Sequence, residues 1–317
     1  MQKEKLSRKE ELLLRALNTS NTTALQKEDL SELLTLVTPV DVKLTPRLGA
    51  VQVTALTHEW VESELDSTIS HGKYTEGDLP SDNAGAFGRK SNYVMALGKV
   101  AKVTGLLQQV AIVTASEGKV ADAFANEITN KMQDLIRTIE YYFWNGDHTA
   151  NVDEMNGVLT FIPAGQKVNM ASAALTEPKL REALKLCYAG GGVPSAIYCR
   201  SGVAIQIANF SEGKVQYVVN VNEDAVLHGG HKVMKYLSPL GTVMDVIPVR
   251  DEFLPSGNVV ILQEEDLKKG WLSDDIMVED IQLGKDNMAK LLKAYLTLEM
   301  RAPKHHALIY NVDETVN

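Results

Sequence analysis

One long amphipathic segment constrains this chain more than any other feature. Residues 114–144, TASEGKVADAFANEITNKMQDLIRTIEYYFW, space Val120, Phe124, Ile128, Met132 (or Lys131), Leu135, Ile139 and Tyr142 three or four positions apart. That is the period of one face of an α-helix. Thr114 and Glu117 fit a capping box at its start, and Asn145-Gly146-Asp147 ends it. At about 1.5 Å per residue the helix would run on the order of 40 Å, longer than a small globule needs. Its stripe reads as a core face rather than a cofactor site, so the helix is expected to serve as a spine.

Two stretches with strand periodicity precede it. In residues 51–65, VQVTALTHEWVESEL, Val51, Val53, Ala55, Thr57 and Val61 share a face. In residues 91–104, SNYVMALGKVAKVT, Tyr93, Met95, Leu97, Ala101 and Val103 do so. The interval between them is polar and broken by Gly72, Gly77, Gly85 and Gly88. A structureless connection of more than about 15 residues is uncommon inside a compact domain. The interval is therefore a surface loop, or part of a long hairpin that leaves the body and is ordered by a partner. The charges favour the hairpin. Its outgoing limb carries Glu59, Glu62, Glu64 and Asp66; its returning limb carries Arg89, Lys90, Lys99 and Lys102. Such charges pair favourably across strands of one chain or of adjacent subunits. Each exposed pair is worth at most about 1 kcal/mol, so the pattern sets register and partner choice more than stability.

Residues 1–36 interleave charges of both signs with Leu12, Leu13, Leu14, Leu17, Leu25, Leu30, Leu33 and Leu34. They read as one or two short amphipathic helices broken around Asn18-Thr19-Ser20-Asn21. Thr38-Pro39-Val40-Asp41 and then Thr45-Pro46 end any helix and make an extended arm. The segment is either a helical cap on the body or an arm that reaches a neighbour, and composition does not choose between them. Beyond Gly157, Pro163 and Gly165 the pattern alternates. Helices are expected at 175–189, capped at Thr176 and stopped by Gly190-Gly191-Gly192, and at 202–210. Strands are expected at 195–199, 232–237, 242–248, 258–263, 290–300 and 307–312. No internal repeat is visible, and the class is α+β.

Composition narrows the function. The 317 residues are 44% hydrophobic and 23% charged, an ordinary globular balance for two domains or one large domain with excursions. Cys187 and Cys199 fit neither a zinc knuckle nor a redox pair by spacing. They read as buried thiols of a reducing compartment. No apolar run reaches about eighteen residues, so no helical membrane span is expected. The charged N-terminus lacks the apolar stretch of a secretory signal, which leaves the glycosylation-type matches at Asn18, Asn21 and Asn209 without meaning. A net charge of −9 argues against a general nucleic-acid binder. It does not exclude a protein that sits beside nucleic acid without gripping it.

Catalytic motifs come close and fail. His58-Glu59-Trp60-Val61-Glu62 opens like a zinc-protease helix, but its second histidine is replaced by Glu62 and it lies on an alternating strand. Gly85-Ala86-Phe87-Gly88-Arg89-Lys90-Ser91 lacks the lysine and the glycine spacing of a phosphate loop and precedes a strand. Gly190-Gly191-Gly192-Val193-Pro194 is a turn. His305 and His306 would point to opposite faces of a strand. No GxSxG elbow is present and neither cysteine has a catalytic signature. No catalytic, metal or cofactor residue is assigned, and the consistent absence favours a structural role.

Short motifs in a definite order carry a resemblance. They are Thr45-Pro46 near the arm, Glu59-Trp60 and Glu64-Leu65-Asp66 on the hairpin, and Arg89-Lys90-Ser91-Asn92-Tyr93 on the returning limb. The helix end Ile139-Glu140-Tyr141-Tyr142-Phe143-Trp144-Asn145-Gly146-Asp147 follows, then Met155-Asn156-Gly157-Val158. Gly241-Thr242-Val243, Pro248-Val249-Arg250 and Tyr295-Leu296-Thr297-Leu298-Glu299 complete the series. Over residues 38–312 the chain resembles the major capsid proteins of tailed bacteriophages, of the Hong Kong 97-type fold. Gln108-Gln109 stands where that pattern has a serine or threonine pair, and the first 36 residues match nothing in it.

The resemblance implies an N-terminal helical segment and arm (1–45), an extended loop built as a long β-hairpin (46–110), and a spine-helix peripheral domain (111–175). A mixed axial domain (176–284) follows, then a return strand and C-terminal segment (285–317). It implies an icosahedral shell of hexamers and pentamers of this chain, enclosing double-stranded DNA without sequence-specific binding. Scaffolding, portal and decoration proteins are further partners it admits, with no cofactor, no enzymatic activity and no membrane. The location would be the virion, and the host cytoplasm during assembly. Candidate inter-subunit contacts are Glu59, Trp60, Glu62, Glu64, Asp66, Arg89, Lys90, Lys99 and Lys102, and Trp60→Ala is expected to harm assembly more than folding. An acidic lumen wall would not adhere to phosphate. No large self-scaffold is expected ahead of the arm. The alternatives are an encapsulin-like nanocompartment shell, which shares the fold but encloses cargo enzymes, and an unrecognised cytosolic enzyme.

Overall fold

The structure is a computed structural model that describes residues 41–65, 73–79, 85–109, 123–210, 234–273, 275–282 and 286–315. The helices expected within 1–36, and the capping box at Thr114 and Glu117, lie outside these residues. The first strands in chain order are β1 (Gly49–Gln52), β2 (Thr57–Glu64), β3 (Ala86–Tyr93), β4 (Met95–Thr104) and β5 (Lys167–Ala174). They are followed by β6 (Ala196–Cys199), β7 (Met234–Leu237), β8 (Val243–Pro248), β9 (Val259–Leu262), β10 (Leu267–Trp271), β11 (Met277–Ile281), β12 (Asn287–Met300) and β13 (Ala307–Asp313). The helices with bounds on both sides are α1 (Ala123–Asn145), α2 (Val158–Phe161), α3 (Glu177–Ala189) and α4 (Ser201–Asn209), and residues 105–109 are helical as well.

The long return strand β12 organises the first sheet. Along one side it pairs antiparallel with β4, from Asn287↔Thr104 to Leu296↔Met95. Along the other it pairs with β11 and then β10, and β10 carries β1 as a parallel neighbour. The spine α1 lies against this sheet and buries Leu135, Ile139, Phe143 and Trp144 in one cluster with Leu292, Ala294, Leu296 and Ala101. The expected stripe is thus a core face, and the helix ends at Asn145 as its sequence signals. At 23 residues it spans roughly 35 Å.

The second sheet runs β5-β13-β9-β6-β8-β7. Its central strands β6, AIYC, and β9, VVIL, are buried at every position, as expected of strands covered on both faces. Helix α3 adds Leu180, Ala183, Leu184 and Cys187, and α4 adds Val203 and Ile207. The triglycine after α3 closes onto the corner at Lys304 and His305. A Cβ on Gly190 would stand 2.2 Å from the Lys304 carbonyl oxygen, and one on Gly192 would stand 2.6 Å from the His305 Cβ. Only glycine permits that approach.

Several expectations need correction. The stretch 51–65 is two strands, β1 and β2, in different sheets. The residues read as one face do not share one environment: Val53 is buried, Val61 is exposed, and Trp60 is buried. Thr45-Pro46 opens a short 3-10 turn, Thr45–Arg47, flanked by the buried Leu44 and Leu48, rather than continuing an extended arm. Lys99 and Lys102 stand on β4, in the sheet of the spine helix, and do not face the outgoing limb. The domain expectation at 176–284 cuts across the sheets, because β10 and β11 belong with β12, whereas β5 and β13 complete the second sheet. Strands β5, β10 and β11 escaped the sequence reading. Their segments KVNMASAA, LKKGW and MVEDI are short and carry little apolar alternation.

Candidate functional site

Among the described residues strands β2 and β3 pair only with each other, from Thr57↔Tyr93 to Glu64↔Ala86. A two-stranded ribbon is marginal in water without a supporting surface, and one face of this hairpin has such a surface. Trp60, 6% exposed, sits beside the His58 and Phe161 rings at 5.8 and 6.1 Å. His58 Nε2 hydrogen-bonds Glu299 Oε2 at 2.8 Å. Asn92 is fully buried and satisfied. Its amide donates to the Leu298 and Asn156 carbonyls at 2.7 and 3.0 Å, and its Oδ1 accepts the Asn156 and Tyr93 amides. Glu62 accepts the Ala302 amide at 2.9 Å, and Glu64 pairs with Lys304 at 3.4 Å. Tyr93 stacks on His148 with ring centroids 3.6 Å apart.

The Glu299 carboxylate is the buried pivot of this anchorage. Burial opposes its charge, but hydrogen bonds from His58 and Arg301 outweigh that and hold it below the usual carboxylate range. Behind it, His306 accepts the Gln263 amide on Nδ1 and bonds the Arg301 carbonyl through Nε2. Burial pushes its pKa down to about 4, so it stays neutral. His305 faces Asp266 instead, at 2.7 Å. Among the described residues no group of histidines, cysteines and carboxylates could hold a metal ion.

The opposite face of the hairpin is open. Val61, 65% exposed, and Phe87, 80% exposed, lie diagonally across the ribbon, next to the Arg89–Glu59 pair at 3.1 Å. Leu65, Tyr74 and Leu79 are exposed further out. The sequence candidates therefore divide. Glu59 and Arg89 meet on the open face, and Lys90 is exposed opposite Trp60. Glu62 and Glu64 are turned to the chain's own body, Trp60 is part of its core, and Asp66 lies outside the described residues. Lys99 borders a groove of about 330 Å³ with Asp134, Arg137, Tyr141, Tyr142 and Glu252.

Two further anchors were invisible to spacing arguments. Glu140, on α1 and fully buried, accepts the amides of Lys43, Leu44 and Thr45, the Thr45 hydroxyl and the Trp144 indole N–H. Five donors meet one carboxylate and strap the start of the described chain to the spine helix. Two residues on, Arg47 forks onto Glu264 at 2.5 and 2.9 Å and reaches Asp245 at 3.1 Å. Burial works against the Glu264 charge, but Arg47 and the Tyr198 hydroxyl hold its pKa down. The turn is thereby tied to β8 of the second sheet and to the 3-10 turn Glu264–Asp266 that joins β9 to β10. A charged residue inside an apolar helix face was the only signal for Glu140. Cys187 and Cys199 are free and buried, and burial pushes both thiols up to about 12, which leaves them inert.

A family model described as SU10 major capsid protein matches residues 17–313. No curated protein matches the chain. Among solved structures, the cyanophage A-1(L) capsid subunit is 12% identical with a TM-score of 0.66, over 94% of this chain and 100% of that one. The capsid of a native GTA particle is 15% identical, with a TM-score of 0.63 over 93% and 97%. The SrpI encapsulin complex of Synechococcus elongatus PCC 7942 is 14% identical, with a TM-score of 0.61 over 95% and 98%. Identities this low speak for a shared fold, the Hong Kong 97-type capsid fold.

Proposed function

The chain belongs to the SU10 major capsid protein family, and from that premise we propose that its copies close into an icosahedral shell of hexamers and pentamers around the double-stranded DNA of a tailed phage. Its role is that of a structural capsid protein and its place is the virion. Assembly in the host cytoplasm, with scaffolding and portal proteins as helpers, is part of the same reading, as is the absence of enzymatic activity.

The family match over residues 17–313 carries the proposal, and the hairpin fits it. A ribbon anchored on one face, with Val61 and Phe87 exposed on the other, is suited to lie on a neighbouring subunit. Many modest contacts of this kind are what a shell closed by symmetry requires. The net charge of −9 suits a wall that must not adhere to phosphate. The encapsulin likeness concerns the fold alone, and the family match favours the phage reading.

The test is to purify the full chain and image it by negative-stain electron microscopy. Closed shells or capsomer rings are expected. A chain that stays monomeric at high concentration, alone and with its neighbouring structural gene products, overturns the reading. Shells that enclose a co-expressed enzyme and exclude DNA would move it to the nanocompartment class.

A further inference from the structure

We propose that neighbouring copies join edge to edge, the outer edge of β2 in one copy adding antiparallel to the free edge of β4 in the next. The register sets Glu59 opposite Lys102, Val61 opposite Val100 and Glu62 opposite Lys99. The inference rests on the capsid reading, since it requires that the chain meets copies of itself.

Among the described residues both strands have an open edge. β4 pairs with β12 along its full ten residues, and β2 pairs with β3. Among the described residues neither strand has a second partner. An open edge presents unpaired amides and carbonyls and is a template for an added strand. The charges then choose the occupant. β2 carries Glu59, Glu62 and Glu64 with no lysine or arginine, and β4 carries Lys99 and Lys102 with no acid. Pairing β4 with itself would set lysine strands side by side, and pairing β2 with itself would do the same with glutamates. Opposite charges across strands are favoured and like charges are not.

Spacing and burial fix the register. Glu59 and Glu62 are three apart, as are Lys99 and Lys102, so only two alignments match both pairs. In the antiparallel one, the exposed Glu59, Val61 and Ser63 of β2 lie beside the exposed Lys102, Val100 and Gly98 of β4, and buried Trp60 faces buried Ala101. In the parallel one, exposed Val61 would meet buried Ala101, and buried Trp60 would meet exposed Val100. A one-residue mismatch of faces turns every side chain to the wrong side. The antiparallel register alone satisfies charge and burial together. The Arg89 contact of Glu59 uses Oε2 and the Ala302 contact of Glu62 uses Oε1, so each carboxylate keeps a second oxygen for its new lysine. Because β2 and β4 are different surfaces, the contact is heterologous and propagates around a ring.

A disulfide reads the register directly. Opposed residues of an antiparallel pair are about 5 Å apart at Cα, within bridging distance. Val61→Cys chains are co-assembled with mass-tagged Val100→Cys chains and oxidised mildly. A mixed dimer is expected on a non-reducing gel, whereas Val61→Cys with Ala96→Cys, four residues away on the same face, should give none. Particles that form normally but cross-link no better at Val100 than at Ala96 overturn the pairing and leave the capsid reading intact. Failure of the unmodified chain to form particles would strike that reading instead. In parallel, Lys99→Glu with Lys102→Glu should lower particle yield by about tenfold or more, and adding Glu59→Lys and Glu62→Lys should restore most of it. Unchanged yield on the first reversal also overturns the register.

Discussion

The β6–β9 pair and the β2–β3 hairpin are both short antiparallel ladders, and they could hardly differ more in surroundings. Every residue of β6 and β9 is buried between helices and neighbouring strands. In the hairpin only Trp60 and Asn92 are buried, and the charged residues outnumber the aliphatic ones. The first pair is specified by what it hides within its own chain. The hairpin buries one face against its chain and leaves the other exposed, the face that the proposed shell would set against a neighbouring copy. Burial of apolar area, worth about 25 cal/mol per Å², stabilises the inner sheet. The hairpin leans on a few polar contacts, Asn92, Glu62 and His58–Glu299.

Substitutions should separate the two regions. Ile261→Ala, in β9, should cost about 4 kcal/mol and lower the whole cooperative transition, measured by urea unfolding of dissociated subunits. Trp60→Ala should cost about 3 kcal/mol but spend it locally. Amide exchange should rise across 57–64 and 86–93 while β6 and β9 stay protected. This revises the expectation that Trp60 matters chiefly for assembly: its ring is packed inside its own chain. Exchange that rises equally in β9 would show the hairpin and the sheet to be one unit, and the contrast would fail.

The inner region was the more legible. Runs such as VVIL and AIYC name themselves as buried strands, and the stripe of α1 named its core face. The hairpin was legible in outline, because opposite charges on two alternating limbs mark a pairing. Its faces were not. Simple alternation put Val61 on one face with Val51 and Val53, yet Val61 is exposed and the bulkiest residue, Trp60, packs beside Phe161. The anchors Glu140 and Asn92 were illegible for another reason. A buried polar group is fixed by partners distant in sequence, here the amides of residues 43–45 for Glu140 and the carbonyl of Leu298 for Asn92, and no local period announces them. Sheet membership of β10 and β11 depends likewise on the long return strand.

Acid should sharpen the contrast from the joint between the regions. His306 has a folded pKa of about 4 against an ordinary 6.5. Between these values the unfolded chain binds more protons, so stability is intact above pH 6.5 and falls as the pH drops toward 4. The full loss is about 3 kcal/mol at most. Glu299 and Glu264, held below the usual carboxylate range, contribute stability that disappears only at lower pH. Thermal unfolding between pH 6.5 and 4.5 should therefore slope in the unmodified chain and flatten in His306→Gln, which keeps a donor and an acceptor without a charge. An equal slope in both would remove His306 as the cause.

The smallest effect on the subunit should be the most telling for assembly. Phe87 is 80% exposed on the open face of the hairpin. Phe87→Ser should change subunit stability by less than about 0.5 kcal/mol, as exposed positions do. An aromatic side chain that becomes covered in a shell is different, because truncating a buried anchor at an interface commonly costs about 2 kcal/mol or more. Each copy in the shell presents the same hairpin, so the deficit repeats at every contact and particle yield should collapse while the isolated subunit melts unchanged. Sedimentation of particles against calorimetry of subunits measures the two together. A variant that assembles normally would mean that the open face meets solvent in the shell, and that the exposed apolar residues of the hairpin do not encode a partner after all.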